Sequence, residues 1–148
     1  AKAAAKTYTG KAQTTKVTVT YGGKVLKRGT DYKITGVTKA KNAGKYKITV
    51  KGINNYKGTK TIYYTINKAA QKSVKVKVNA SKKKITVSGV KAKAKVTYKS
   101  ANKKVKVKNG KITVGKGVKK GTKVRITVKV AATKNYKAYS KSIIYKVK

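Results

Sequence analysis

The sequence lacks the residues on which most enzyme chemistry depends. It contains no cysteine, histidine or glutamate, and Asp31 is the only acid among 148 residues. A general acid–base pair, a Ser-His-Asp triad and a His/Cys zinc site each need residues that are missing. Calcium sites need several oxygen ligands, usually carboxylates. We therefore expect no enzyme activity, no metal site, no cofactor and no disulfide framework.

Proline, methionine, tryptophan and phenylalanine are also absent, and Leu26 is the only leucine. The remaining apolar residues are Val, Ile, Ala and Tyr, a set that favours strands over helices. No apolar run approaches the roughly 20 residues that span a bilayer, so no transmembrane segment is predicted. The chain has no signal peptide and does not begin with Met, and we expect a mature or excised part of a longer protein.

What the chain has in excess is positive charge. It carries 42 Lys and Arg residues and a net charge of +41, and 40 of the 42 are lysine. High net charge with low mean hydropathy is typical of disordered chains. A regular alternation of Lys or Thr with Val, Ile or Tyr argues against disorder here. Because successive strand side chains point to opposite faces, the apolar residues can form a core while the lysines face water.

This alternation predicts an all-β protein built from short strands about 8–12 residues apart. Gly22-Gly23 and Asn109-Gly110 are typical of tight hairpin turns. The only helical signal is the Ala-Lys-Ala-Ala-Ala-Lys segment at residues 1–6, which is too short to be stable alone. The predicted strands are residues 16–21, 45–51, 73–78, 84–87, 95–98, 105–108, 111–114, 123–130 and 142–147.

A weak internal repeat divides the chain. The Ile-Thr-Val-Lys segment at residues 48–51 recurs at 126–129, and the Asn-Tyr-Lys segment at 55–57 recurs at 135–137. Each copy then ends in a strand rich in Ile and Tyr. The same C-terminal hairpin is therefore predicted to close two domains.

The domain boundary is predicted near residues 68–71, which gives domains at 1–68 and 69–148. The first domain holds 16 basic residues and one acid, for a net charge of +15. The second holds the other 26 basic residues and no acid. The charge is therefore concentrated in the second domain.

Four segments in the first half resemble a known family, and they occur in the family's order. They are Tyr8-Thr9-Gly10-Lys11, Gly29-Thr30-Asp31-Tyr32, Asn42-Ala43-Gly44 and the G-x-NN-Y-K-G segment at residues 52–58. This order resembles the immunoglobulin-like repeats of large secreted or wall-attached proteins of Gram-positive, clostridia-like bacteria. The second half is similar to a companion immunoglobulin-like repeat, through residues 96–99, 110–114, 117–122 and 135–138.

The resemblance implies two tandem immunoglobulin-like β-sandwiches at the bacterial surface or outside the cell, beside further repeats of the same kind. It implies a stalk, spacer or adhesin segment. The chain departs from the family at Thr14-Thr15, where a proline is usual, and in having almost no acids. The alternative is a supercharged scaffold or nucleic-acid-binding protein, natural or engineered.

Asp31 has two interpretations. It can bond nearby backbone in the turn at residues 29–32, as Asp commonly does, and we predict this structural role. In some Gram-positive immunoglobulin-like domains an acid instead assists a Lys–Asn isopeptide crosslink, and an intact mass about 17 Da below the sequence mass would support that alternative, since the bond releases ammonia.

The 11 tyrosines are the only aromatic residues. They could stack single-stranded bases while lysines contact phosphates. We instead predict core and hairpin packing, because Tyr56 and Tyr136 occupy equivalent repeat positions and Tyr46, Tyr64, Tyr98 and Tyr145 fall within strand patterns.

The lysine surface is the main candidate for function, because so cationic a chain attracts polyanions such as teichoic acid, anionic polysaccharide, nucleic acid or acidic lipid headgroups. Lysine acts as a point charge, whereas Arg provides bidentate base recognition, so we expect sequence-independent, salt-sensitive binding. The positions of highest charge density are Lys82, Lys83, Lys84, Lys103, Lys104, Lys106, Lys108, Lys116, Lys119, Lys120 and Lys123.

Overall fold

A computed structural model describes all residues, 1–148, as an all-β protein without helices. The chain divides into two compact units, Ala1–Ala69 (unit 1) and Ala70–Lys148 (unit 2). Each unit contains its own strands and its own hydrophobic core. The structure has no helix with the length and apolar character needed to span a membrane.

Unit 1 is built around one four-stranded sheet. Its strands are β1 (Lys2–Ala3), β2 (Lys6–Thr7), β3 (Gln13–Thr14), β4 (Val17–Thr18), β5 (Thr20–Tyr21), β6 (Lys24–Val25), β7 (Tyr32–Gly36), β8 (Lys39–Ala40), β9 (Gly44–Gly52) and β10 (Thr59–Asn67). The sheet order is β2-β10-β9-β7, and β2 runs parallel to β10. The short antiparallel pairs β1-β4, β3-β8 and β5-β6 account for the other strands.

The core of unit 1 comes from alternate residues of the long strands. Ile48 and Val50 on β9 are buried, as are Ile62, Tyr64 and Ile66 on β10. They form one cluster that also takes in residues from outside these two strands, which are Val19, Leu26 and Tyr32. The intervening residues, mostly Lys and Thr but also Tyr63, lie on the opposite face, as the alternation predicts.

Unit 2 contains two sheets. Its strands are β11 (Lys75–Asn79), β12 (Lys84–Ser88), β13 (Val96–Ser100), β14 (Val105–Lys108), β15 (Lys111–Val114), β16 (Lys123–Val130) and β17 (Tyr139–Lys146). One sheet has the order β11-β12-β15-β14 and the other β13-β16-β17. Ile85, Val105 and Ile112 of the first sheet share a buried cluster with Ile126 and Val128 of the second, an arrangement consistent with a β-sandwich.

The hairpin suggested by the repeat is present in both units and in the same register. Ile48 of β9 lies opposite Ile62 of β10, and Ile126 of β16 lies opposite Ile143 of β17. Ile48 and Ile126 are both fully buried, at 0% exposure. The prediction of a repeated hairpin is confirmed, and this register makes Tyr64 equivalent to Tyr145.

Both predicted tight turns are confirmed. Tyr21 pairs with Lys24 across Gly22-Gly23, and Lys108 pairs with Lys111 across Asn109-Gly110. Asn109 and Gly110 have φ values of 50° and 81°, as a type I′ turn requires.

The weak helical signal at residues 1–6, too short to be stable alone, does not produce a helix, and β1 and β2 form in this segment instead. Pairing with β4 and β10 satisfies backbone groups that a six-residue helix, too short to nucleate, would leave open. The strand predicted at 16–21 is wrong as a single element. It is interrupted at the buried Val19, whose carbonyl accepts a hydrogen bond from the Leu26 amide at 2.9 Å.

Candidate polyanion-binding surface

Strand alternation and the exposed turns and loops together place almost every basic side chain in solvent. All Lys and Arg residues are exposed except Lys6, which is half-buried. Lys6 lies on β2 directly opposite Ile66, whose side chain belongs to the core, and this register turns Lys6 partly inward. The positive charge of the chain is therefore a surface property of both units.

One sheet of unit 2 has an outer face without a single apolar side chain. On β11, β12, β15 and β14, the residues that alternate with the Val and Ile positions are all exposed. We name this surface the lysine face. Its members are Lys75, Lys77, Asn79, Lys84, Thr86, Ser88, Lys106, Lys108, Lys111 and Thr113.

Three residues of the lysine face stand side by side across three strands. Lys84 of β12 lies opposite Lys111 of β15, and Lys111 lies opposite Lys108 of β14. The backbone bonds flanking the first pair are Ile85 N to Gly110 O at 2.7 Å and Ile112 N to Lys83 O at 2.8 Å. Because these bonds join the neighbouring residues, Lys84 and Lys111 form a non-hydrogen-bonded pair, the kind of antiparallel pair whose side chains lie closest together.

We call Lys84, Lys111 and Lys108 the lysine row. Like charges directly opposite each other destabilise a sheet. The row therefore concentrates charge at a position where folding alone disfavours it.

The sequence-predicted lysines do not form one site. Lys82 and Lys83 lie in the turn before β12, and Lys103 and Lys104 lie in the loop before β14. Lys84, Lys106 and Lys108 belong to the lysine face. The remaining four predicted residues lie elsewhere, with Lys116, Lys119 and Lys120 in the loop between β15 and β16 and Lys123 at the start of β16, in the other sheet.

The prediction missed three members of the lysine face, which are Lys75, Lys77 and Lys111. Charge density along the chain does not reveal them, because none of the three is next to another basic residue. The hairpin turn at Asn109-Gly110 was the available signal. A two-residue loop pairs the residues on either side of it, so Lys111 must stand opposite Lys108.

Asp31 closes a tight loop before β7. Its Oδ2 accepts a hydrogen bond from the Lys27 amide at 2.7 Å, and its own amide donates to the Lys27 carbonyl at 2.8 Å. Its carbonyl accepts a bond from the Ile53 amide at 2.9 Å. The Asp31 carboxylate therefore stabilises the backbone of this loop by a hydrogen bond. An isopeptide bond would need a desolvated lysine amine, and no lysine of the chain is buried.

Nine of the tyrosines are buried or half-buried, which agrees with packing. The exposed ones are Tyr21 and Tyr63, at 72% and 51% exposure. Tyr63 lies on the outer face of β10 opposite Lys47, and Lys45 Nζ stands 4.6 Å from the centre of its ring. This is a cation–π contact, and the exposed Tyr63 ring lies among lysine side chains.

No group of three or more His, Cys, Asp or Glu side chains that could hold a metal ion exists in the chain. No protein-family model, no curated protein and no solved structure matches the sequence.

Proposed function

We propose that the chain is a non-catalytic module of a bacterial surface or secreted protein. In this proposal its two units are tandem immunoglobulin-like domains that serve as a stalk, spacer or adhesin segment beside further such repeats. Their cationic surface binds anionic polymers, such as teichoic acid, anionic polysaccharide or nucleic acid, without sequence specificity.

The observation that supports the proposal most is the exposure of the basic residues. An ordinary surface mixes charges of both signs, whereas here 42 basic residues face one acid. The only carboxylate is already bonded to backbone. Such a surface recruits polyanions through release of their counterions, which makes binding steeply dependent on salt.

A titration with duplex DNA, single-stranded DNA and heparin tests this function. We expect affinities for the three within about threefold of one another, all falling steeply as salt rises from about 0.05 to 0.2 M. Absence of binding to all three at the lowest salt would contradict a polyanion-binding function.

The second candidate is a nucleic-acid-binding protein, and the exposed Tyr63 favours it. An aromatic ring between Lys45 and Lys47 is the pairing that stacks a base and contacts its phosphates. A preference for single-stranded DNA that persists at about 0.5 M salt, and that Tyr63→Ala abolishes, would establish this candidate over the first.

A further inference from the structure

We infer that the lysine face of unit 2 is a discrete binding site for a linear, non-aromatic phosphate polymer, with the lysine row at its centre. This inference rests on the proposed function and narrows it to one face and one class of ligand.

The first argument is the composition of the face. All ten of its side chains are Lys, Thr, Ser or Asn. These are side chains that contact phosphate oxygens in nucleic-acid complexes, where they fix position without reading bases. Thr86 and Thr113 stand among the lysines and can donate to the same oxygens. A phosphate backbone would therefore find both charges and hydroxyl donors on this face.

The second argument is what the face lacks. It holds no tyrosine, so nucleobases would find no ring to stack on, unlike the surroundings of Tyr63 in unit 1. It holds no arginine either, the side chain whose planar fork is best suited to bidentate recognition of a base edge. Both absences favour a polymer whose repeating unit carries phosphate and no aromatic ring.

The third argument is geometric. Neighbouring strands lie about 4.8 Å apart, and residues two apart on one strand lie about 6.8 Å apart. The lysine row thus sets three charges in line across the sheet, and Lys106 adds a fourth beside Lys108 on β14. A flexible single chain can follow this line, whereas a rigid duplex touches a sheet face at few points.

The test compares two triple variants of equal charge. Lys84→Thr/Lys108→Thr/Lys111→Thr removes the lysine row, and threonine suits strands and already occurs on the face. The control Lys33→Thr/Lys51→Thr/Lys57→Thr removes three exposed lysines from unit 1, two of which are directly opposite each other. The probes are inorganic polyphosphate, heparin and vesicles containing an anionic phospholipid. Circular dichroism confirms that both variants keep their strands.

We expect the row variant to bind polyphosphate about tenfold more weakly or worse, with a salt slope shallower by about two. We expect the control variant to lose less than about threefold in affinity for polyphosphate. We expect the row variant to lose less than about threefold in affinity for heparin. Equal losses in both variants would overturn the discrete site while leaving general polyanion binding intact. If the row variant loses as much affinity for heparin as for polyphosphate, or more affinity for the vesicles than for polyphosphate, the assignment to a phosphate polymer is overturned. Wild-type protein that binds none of the probes would overturn the proposed function itself.

Chemical acetylation gives a readout that needs no variant. With polyphosphate present, mass spectrometry should show slower acetylation of Lys84, Lys108 and Lys111 by about fivefold or more, since contact with the anion covers their amines. Lys33 and Lys51 should slow far less. Uniform protection of all five lysines would contradict a localised site.

Discussion

The two units share a hairpin and differ in what surrounds it. The β9–β10 hairpin of unit 1 and the β16–β17 hairpin of unit 2 have the same register and equivalent buried residues. In unit 1 the hairpin lies inside a four-stranded sheet with β2 and β7 at its edges. In unit 2 it extends only to β13, and a separate four-stranded sheet supplies the rest of the core.

This difference places the lysine face on a sheet that the shared hairpin does not include. The outer face of the shared hairpin is mixed in both units, and it includes the large exposed residues Tyr63 and Ile144 at equivalent positions. The lysine face belongs to the sheet that has no counterpart in the repeat. Six of the 26 basic residues of unit 2 are thus arranged on a surface that the common hairpin does not require.

The largest effects should come from the core of the shared hairpin. Ile48→Ala and Ile126→Ala each remove a fully buried side chain and should each destabilise their own unit by about 2–5 kcal/mol. Native-state hydrogen exchange measured by mass spectrometry reports the opening of each unit separately. If the hairpins are equivalent, the two losses agree to within about 1 kcal/mol.

Tyr63→Ala and Ile144→Ala provide the matched control, because these residues are equivalent and 51% and 53% exposed. Each should change stability by about 0.5 kcal/mol or less. If only one of the two variants greatly lowers the stability of its unit, equivalent positions in the two hairpins do not contribute equally to stability.

The structure also indicates which features the sequence could predict. Strands β14, β15 and β16 begin and end where the alternation places them, because one face is buried and a slip by one residue would expose the core. Strand β7 was missed, because the Gly-Thr-Asp-Tyr segment before it reads as a turn and Gly36 ends it early. The two-residue β-strands of unit 1 depend on pairings with distant segments, which local pattern does not contain.

The candidate surface was only partly predictable for a related reason. Runs such as Lys82–Lys84 are conspicuous along the chain, but proximity in space depends on strand order. Lys84 and Lys111 are 27 positions apart and become neighbours because β12 pairs with β15. The sequence alone predicts the hairpin at Asn109-Gly110 but not which strand lies beside it.

A second, smaller effect concerns two equivalent tyrosines. Tyr64 and Tyr145 are 2% and 0% exposed, and neither hydroxyl has a hydrogen-bond partner. An unpaired buried hydroxyl costs about 1–3 kcal/mol. We therefore expect Tyr64→Phe and Tyr145→Phe each to stabilise its unit, by about 1 kcal/mol in hydrogen exchange or denaturant unfolding.

Tyr46→Phe is the control with the opposite sign. The Tyr46 ring stacks on Tyr64 at 5.3 Å, but its hydroxyl donates a hydrogen bond to the Asn42 carbonyl at 2.6 Å. Its removal should destabilise unit 1 by about 1 kcal/mol. If Tyr64→Phe destabilises as much as Tyr46→Phe, the Tyr64 hydroxyl has a partner after all.

Alkaline pH sharpens the same test. Burial, and to a smaller extent the neighbouring Tyr46, raises the pKa of Tyr64, so the folded state favours the neutral hydroxyl. Below the unfolded pKa of about 10, Tyr64 is neutral in both states and its contribution to the free energy of unfolding is fully present. That contribution is lost as pH rises through the higher folded pKa, because the unfolded state releases its proton first. Wild-type protein should therefore lose more stability above about pH 10 than Tyr64→Phe does.

The smallest predicted effect lies in the turns. Unit 1 has one non-glycine residue with positive φ, Asn54 at 55°, and asparagine tolerates this conformation. Unit 2 places Ala92 at 55° and Lys93 at 49°, where a side chain costs about 1–2 kcal/mol. Because glycine removes this strain but adds unfolded-state entropy, Ala92→Gly should stabilise unit 2 by about 0.5–1 kcal/mol. Ala101→Gly, at an ordinary φ, should instead destabilise it by about 0.5–1 kcal/mol. If Ala92→Gly destabilises unit 2 in denaturant unfolding, as Ala101→Gly should, the turn at Ala92 is not strained.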